Sequence, residues 1–141
     1  MKPLKLTIEG INSFIEPVSV DFEKLQESGI FCICGPTGSG KTTILDSVIL
    51  ALYAPKSNNR GSLRDYVNTK CETGKVVLEF EADGEAYEVS RLFRKKENAS
   101  SKAKLIKIRT GEVLADKPED VNDRIKDMLK LEKDEFTRGA V

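Results

Sequence analysis

The sequence predicts an α/β fold in one domain, and three observations support this prediction. Residues 29–34 form a continuously apolar run, the pattern of a buried parallel strand. From residue 41 to about residue 53, apolar side chains recur at helical spacing. Further along the chain, segments such as 75–81 alternate between apolar and polar residues, which indicates strands of an antiparallel layer.

The remaining elements follow in chain order. Residues 4–9 and 18–22 are predicted strands, and residues 23–28 link them to the buried strand. After the helix, which ends before Pro55, residues 62–68 are predicted to form a short helix. Residues 75–81 and 86–93 form a predicted hairpin because Asp83 and Gly84 are typical of a two-residue turn. A basic strand at 104–110, a short strand at 112–114, a helix that opens at Pro118 and a final turn with Phe136 complete the order.

A glycine-rich loop lies between the buried strand and the first long helix, and it matches the pattern G-x-x-x-x-G-K-[ST] in full. Its residues are Gly35, Pro36, Thr37, Gly38, Ser39, Gly40, Lys41 and Thr42. Glycines let backbone N–H groups approach an anion, and the helix N-terminus favours negative charge. Lys41 adds positive charge near the β- and γ-phosphates, Thr42 offers its hydroxyl to Mg²⁺, and Thr43 is expected to reach the α-phosphate. The motif predicts the nucleoside-triphosphate site of a P-loop NTPase.

The composition restricts the possible functions. The chain has 141 residues with 23 basic and 23 acidic side chains, so the net charge indicates no class of partner. Histidine is absent, which excludes histidine-based acid–base and zinc chemistry. The sequence contains no signal peptide and no 18-residue apolar run, so we expect a soluble, cytoplasmic protein without a membrane partner. We interpret Cys32 and Cys34 as core thiols rather than a C-x-C metal site, and Cys71 as an isolated thiol.

Positive charge is concentrated in residues 91–109, which contain eight Lys or Arg residues and one acidic residue. Two interpretations remain open: a contact surface for the phosphate backbone of DNA, or lysine protection of an edge strand. The candidate DNA contacts in this stretch are Lys95, Lys96, Lys102 and Lys104. Arg60 and Arg64 are further candidates, with simple surface solvation as the alternative.

Five segments occur in an order that is typical of one family. They are residues 10–14 (GINSF), residues 20–22 (VDF), the P-loop continuing through residue 48, and the strands at 76–80 and 87–91. Together they resemble the N-terminal head segment of SbcC, the SMC-like ATPase of bacterial double-strand-break processing. The resemblance covers essentially the whole chain.

The resemblance implies an ABC-ATPase-like head whose two halves are separated by a long coiled coil. It implies ATP and Mg²⁺ as ligands. It also implies four partners: the C-terminal half of the same head, a second head, an SbcD-type nuclease and DNA. We expect residues 1–141 to be a single domain, the N-terminal half of the head, ending before the Q-loop. Because the signature and Walker B motifs belong to the other half, we expect the full-length protein to hydrolyse ATP and these residues alone to hydrolyse it hardly at all.

The resemblance also implies nucleotide contacts outside the P-loop. The turn at Asn12 and Ser13 would lie against the nucleotide, and Val67, Asn68 and Thr69 would close over its base or ribose. Ordinary turns are the alternative for both segments, because Asn and Ser favour turns without any ligand.

Other functions are compatible with a P-loop. The first is the nucleotide-binding subunit of an ABC transporter, which needs a membrane partner. The second is a non-hydrolysing nucleotide-binding module that tethers DNA. A small GTPase is disfavoured because a guanine-reading N-K-x-D motif is missing, and a nucleoside or shikimate-type kinase is disfavoured by the two strands that precede the P-loop and by the basic hairpin layer.

Overall fold

Residues 1–27, 40–54, 63–96 and 100–130 are described by the computed structural model. They form a six-stranded sheet in which every neighbouring pair of strands is antiparallel, in the order β2-β1-β3-β4-β5-β6. The strands are β1 (Lys2–Glu9), β2 (Val18–Asp21), β3 (Thr73–Ala82), β4 (Glu85–Arg94), β5 (Lys102–Lys107) and β6 (Val113–Ala115). The helices are α1 (Phe22–Gln26), α2 (Lys41–Tyr53), a 3-10 helix (Leu63–Tyr66) and α3 (Pro118–Leu129).

Side chains alternate along the strands, so the sheet has one apolar face. Leu6, Val76, Leu78 and Leu105 are completely buried on this face, whereas Lys104 between two such positions on β5 is exposed. Helices α2 and α3 lie against the apolar face and contact each other. This is the arrangement expected of an antiparallel sheet that packs on a core on one side only. No helix within the described residues is long and apolar enough to cross a membrane.

Several local predictions are confirmed. Strands β3 and β4 pair along their whole length, and the turn between them places Asp83 and Gly84 at φ angles of 50° and 78°, as a two-residue primed turn requires. Helix α2 spans Lys41–Tyr53 and helix α3 opens at Pro118, both as the sequence predicts.

Two predicted boundaries are wrong, for local reasons. The predicted link after β2 begins with helix α1, because the carboxylate of Asp21 accepts hydrogen bonds from the backbone N–H groups of Glu23 and Lys24 at 3.1 and 3.3 Å. The basic strand ends at Lys107 and not at residue 110 as predicted. It ends there because the chain turns towards β6 after Lys107, and the Gly111 N–H closes this turn by donating to the Lys107 carbonyl at 2.8 Å. The buried strand predicted at 29–34, with its two cysteines, and the final turn at residue 136 lie outside the described residues.

Candidate nucleotide-binding site

The N-terminus of α2 has the features of an anion site. Gly40 precedes the helix at a φ of 90°, which glycine adopts without strain. No side chain among the described residues caps this end, and the first turn contains no acidic residue. The first backbone N–H groups of an α-helix have no intrahelical acceptor, and they carry the positive end of its dipole. These N–H groups are therefore suited to donate to a phosphate.

The turn after β1 lies against this helix end. The Asn12 side-chain amide donates to the hydroxyl oxygen of Thr43 at 3.2 Å. Phe14 packs on Gly40 so closely that a Cβ at Gly40 would lie 2.5 Å from the Cζ atom of the Phe14 ring. Ser13 is exposed in the same turn. The turn thus lies beside the last glycine of the P-loop motif and the first turn of α2.

The segment at residues 67–69 joins the same cluster. Its backbone is held by a β-bridge between Ile11 and Val67 and by the Asn68 N–H, which donates to the Gly10 carbonyl at 2.8 Å. The Asn68 side-chain amide also donates to the Asn12 carbonyl, across 56 residues of sequence. The two turns that the sequence singles out separately therefore lie side by side, and Asn12 of the first turn contacts Thr43.

The members of this cluster differ in what they offer to a ligand. The Val67 side chain is buried in the core, so only its backbone reaches the cluster. Thr69 is exposed, and its carbonyl accepts a hydrogen bond from the Nζ atom of Lys95 at 2.6 Å. Arg64 is exposed on the 3-10 helix that leads into this segment. Residues 35–39 of the P-loop motif and Arg60 lie outside the described residues.

The basic stretch divides between the two sides of the sheet. Lys102 and Lys104 are exposed on the face that is opposite the helices, and Lys96 is exposed after β4. Leu92 pairs with both Lys75 and Lys102, so Lys75 belongs to the same row across the sheet although sequence reasoning passed over it. In the described sheet β6 pairs with β5 only at Leu105 and Ile106, so Lys102 and Lys104 lie on the part of β5 that β6 does not cover. Both interpretations of these lysines, a DNA contact and edge-strand protection, are compatible with this arrangement.

Arg91 does not belong to this surface, although it lies in the basic stretch of the sequence. Its side chain is only 2% exposed and points into the core between Val89 and Phe93. The period-two alternation of β4 carries this signal, because Arg91 occupies an inward position of the strand. A count of charges along the sequence does not use the alternation and therefore includes Arg91 in the basic stretch together with exposed residues.

Comparison with known proteins shows the family of this chain. Residues 5–138 match the family described as AAA domain. The chain belongs to the AAA domain family. It is similar over its whole length to the SbcC subunit of the nuclease SbcCD from Clostridium acetobutylicum, with 42% identity, and to that from Bacillus subtilis, with 38% identity. The resemblance to SbcC that the sequence indicates is confirmed. The chain spans 13% of the length of each of these two relatives.

The fold of this AAA domain is similar to a solved structure described as the SMC head domain from Thermotoga maritima. The TM-score is 0.57, with 88% of this chain and 42% of that chain covered and 23% sequence identity. The likeness confirms the fold class predicted from the sequence, an α/β head with an antiparallel layer.

Proposed function

We propose that this chain is the ATP-binding N-terminal half of an SbcC-type ATPase head. In the complete protein, this head would couple ATP binding and hydrolysis to the processing of DNA double-strand breaks or hairpins. The observation that carries the proposal is the contact of Asn12 with Thr43 in the first turn of α2, the helix that begins with the motif's Lys41 and Thr42. Asn68 supports this contact by its hydrogen bond to the Asn12 carbonyl. The relatives are named as the SbcC component of the nuclease SbcCD, which supplies the context of a nuclease complex.

The residue types of the P-loop motif suit a nucleotide with bound Mg²⁺. Residues 35–43 would hold the phosphates through backbone N–H groups, with Lys41 as the positive charge. Thr42 is exposed in the first turn of α2, where its hydroxyl can serve as a Mg²⁺ ligand. Mg²⁺, when bound, would offset the negative charge of the phosphates.

Asn12 and Asn68 would orient the groups around the phosphates. Because Asn12 donates to the Thr43 oxygen, the hydroxyl hydrogen of Thr43 is directed away from Asn12 and can be donated to a phosphate oxygen. Asn68 holds the Asn12 carbonyl, which restrains the turn that carries Asn12 and Ser13. Thr69, at the exposed end of the second turn, would face the ribose or base.

Further parts of the proposal concern partners and location. We propose that the C-terminal half of the head covers α2, which is apolar on several faces and leaves the Leu45 side chain 50% exposed. A second head, an SbcD-type nuclease and DNA complete the set of partners, and the assembly works in the cytoplasm. A transporter-type role is not favoured, since the similar curated relatives are named as components of a nuclease.

Replacement of Lys41 tests the nucleotide site. We expect Lys41→Ala to weaken the binding of a fluorescent ATP analogue to the 141-residue chain by tenfold or more, because a charge-assisted hydrogen bond contributes about 1.5–3 kcal/mol. Lys24→Ala, which removes an exposed lysine from α1, is the matched control and should leave the affinity unchanged. Equal affinities of the Lys41 variant and the original chain would contradict the proposal.

The same preparation tests where the hydrolytic groups lie. We expect the 141-residue chain to bind nucleotide with negligible turnover, because the water-positioning and charge-stabilising groups belong to the rest of the head. A substantial ATP turnover that Lys41→Ala abolishes would show that these residues are catalytically sufficient.

Charge reversal on the sheet tests the proposed DNA contacts. We expect the triple change of Lys96, Lys102 and Lys104 to Glu to weaken duplex binding by the complete protein. The plot of log affinity against log salt concentration should become shallower by about 3, since each lost phosphate contact removes about 0.9 from the slope. Lys95 is left unchanged because its Nζ atom already contacts the Thr69 carbonyl.

A second triple variant controls for the change in net charge. Lys2, Lys24 and Lys117 are exposed lysines outside the basic stretch, and their reversal to Glu alters the total charge by the same amount. Salt slopes that change equally in the two triple variants would mean that only overall charge matters, and the basic stretch would then be a surface feature without a DNA contact.

A further inference from the structure

Arg91 joins three elements of the fold through one buried guanidinium group. Its Nε atom donates to the Ala51 carbonyl at 2.7 Å, and its Nη2 atom donates to the Leu52 carbonyl at 3.1 Å. The same Nη2 atom donates to the side-chain oxygen of Asn122 at 2.7 Å. The first two acceptors belong to the last turn of α2 and the third to α3, so Arg91 connects β4 with both helices.

The Arg91 guanidinium stabilises the C-terminus of α2. The last carbonyls of an α-helix have no intrahelical donors, and the negative end of the dipole favours a nearby cation. Helix α2 has no basic residue in its own last turn, so Arg91 supplies the cation from the neighbouring strand. Burial lowers the pKa of Arg91 to about 10, and the group therefore stays charged at neutral pH.

Helix α2 links this contact to the nucleotide site. Its first turn carries Lys41, Thr42 and Thr43, and its last turn carries the carbonyls that Arg91 holds. The two ends of its 13 residues lie about 20 Å apart, at 1.5 Å per residue. A helix behaves as a rigid element over this length, so restraint of one end limits the movement of the other.

We propose that Arg91 is a positioning residue of the nucleotide site: it locks the C-terminus of α2 to α3 through Asn122, so that ordering of α2 by nucleotide is transmitted to α3. The proposal rests on nucleotide binding at the N-terminus of α2, as argued above. Because coupling between two sites is reciprocal, a displacement of α3 also alters the nucleotide affinity. The junction of α2, α3 and β4 thus works as one unit rather than as three independently packed elements.

The guanidinium is needed for its geometry as well as its charge. Its planar fork reaches acceptors on two helices at once, which a lysine ammonium on a flexible stem does not reproduce. Asn122→Ala removes only the connection to α3 and leaves both bonds to α2. Asn122→Asp keeps an oxygen acceptor at the same place and adds a charge partner for Arg91.

Hydrogen–deuterium exchange of the 141-residue chain, with and without a non-hydrolysable ATP analogue and Mg²⁺, tests the proposal. In the original chain we expect the analogue to slow exchange in peptides from both α2 and α3. In Asn122→Ala the protection of α2 should remain, that of α3 should fall by at least half, and the affinity should decrease by about fivefold, at the lower end of measured couplings. Asn122→Asp should retain the original protection of both helices.

Arg124→Ala is the matched control, because it truncates an exposed side chain of α3 that is not part of the Arg91 contact. Its protection pattern should equal that of the original chain. Two results would overturn the coupling while leaving the nucleotide site intact. In the first, α3 stays protected in Asn122→Ala. In the second, the analogue protects α2 but not α3 in the original chain. If the analogue does not bind the original chain at all, the proposed function fails as well.

Discussion

Gly10→Ala is expected to reduce the free energy of unfolding by about 3 kcal/mol, which lowers the melting temperature of the chain by roughly 10 °C. Gly10 has a φ of 65°, and a Cβ at this position would overlap the carbonyl oxygen of Thr73 and lie 3.4 Å from the Cα atom of Gly74. Both contacts involve backbone, which cannot move aside by a change of rotamer. About 1 kcal/mol of the loss comes from the left-handed conformation and about 2 kcal/mol from the steric overlap.

The same change should also weaken nucleotide binding. The Gly10 carbonyl accepts the N–H of Asn68 at 2.8 Å, so the approach of β1 to β3 at Gly10 holds the two turns of the candidate site together. If the ends of these strands separate, Asn12 moves away from the Thr43 hydroxyl that it contacts at 3.2 Å. We therefore expect stability and affinity to fall together in this variant.

Gly111→Ala separates conformational strain from the steric overlap. Gly111 has a similar φ of 71°, but a Cβ added there meets no atom within 4 Å. Its substitution should destabilise the chain by about 1 kcal/mol, or roughly 4 °C, and leave nucleotide affinity unchanged. Thermal denaturation followed by circular dichroism measures both variants. Equal shifts in the two melting temperatures would mean that the close approach at Gly10 contributes nothing.

The predictions that succeed from sequence depend on short-range rules. Asp83 and Gly84 specify a tight turn by their preference for positive φ, and Pro118 starts α3 because its fixed φ and missing N–H are tolerated in the first turn of a helix. The P-loop motif is likewise contiguous, and helix α2 begins within it at Lys41. In each case the residues that determine the structure are neighbours in the chain.

The two wrong boundaries have local causes, at Asp21 and Gly111. The features that the sequence does not reveal depend instead on contacts between distant residues. The pairing of Ile11 with Val67 follows from the positions of β1 and β3 in the sheet, and no local pattern in either segment specifies it. Arg91 is an intermediate case. The alternation of β4 indicates that its side chain points inward, but its acceptors at Ala51, Leu52 and Asn122 become visible only when both helices have been placed on the sheet.

Arg91→Met is expected to reduce the free energy of unfolding by about 3 kcal/mol. The substitution leaves the Ala51 and Leu52 carbonyls and the Asn122 side-chain oxygen without their donor, at about 1–3 kcal/mol for each acceptor that stays buried. Two gains oppose this loss: the desolvation cost of the guanidinium disappears, and methionine buries apolar surface of its own. Urea denaturation should show a lower midpoint with an unchanged m-value.

Arg94→Met is the matched control, since Arg94 lies on the same strand but on the face opposite the helices. A surface substitution of this kind should change stability by no more than about 0.5 kcal/mol. If both variants unfold at the same midpoint, the carbonyls of α2 do not depend on Arg91.

Asn122→Leu in the Arg91→Met background tests whether unsatisfied acceptors cause the loss. In the Arg91→Met variant the side-chain oxygen of Asn122 has lost its donor, and leucine at position 122 removes this unpaired acceptor. The free energy of unfolding of the double variant should therefore be about 1 kcal/mol higher than that of Arg91→Met alone. The same Asn122→Leu change in the original chain should be destabilising, because Arg91 then loses its acceptor on α3. A sign change between the two backgrounds identifies Asn122 as a partner of the guanidinium, whereas identical effects would mean that Asn122 and Arg91 contribute independently. A sign change would therefore support the link from α2 through Arg91 to α3 in addition to the direct packing of the two helices.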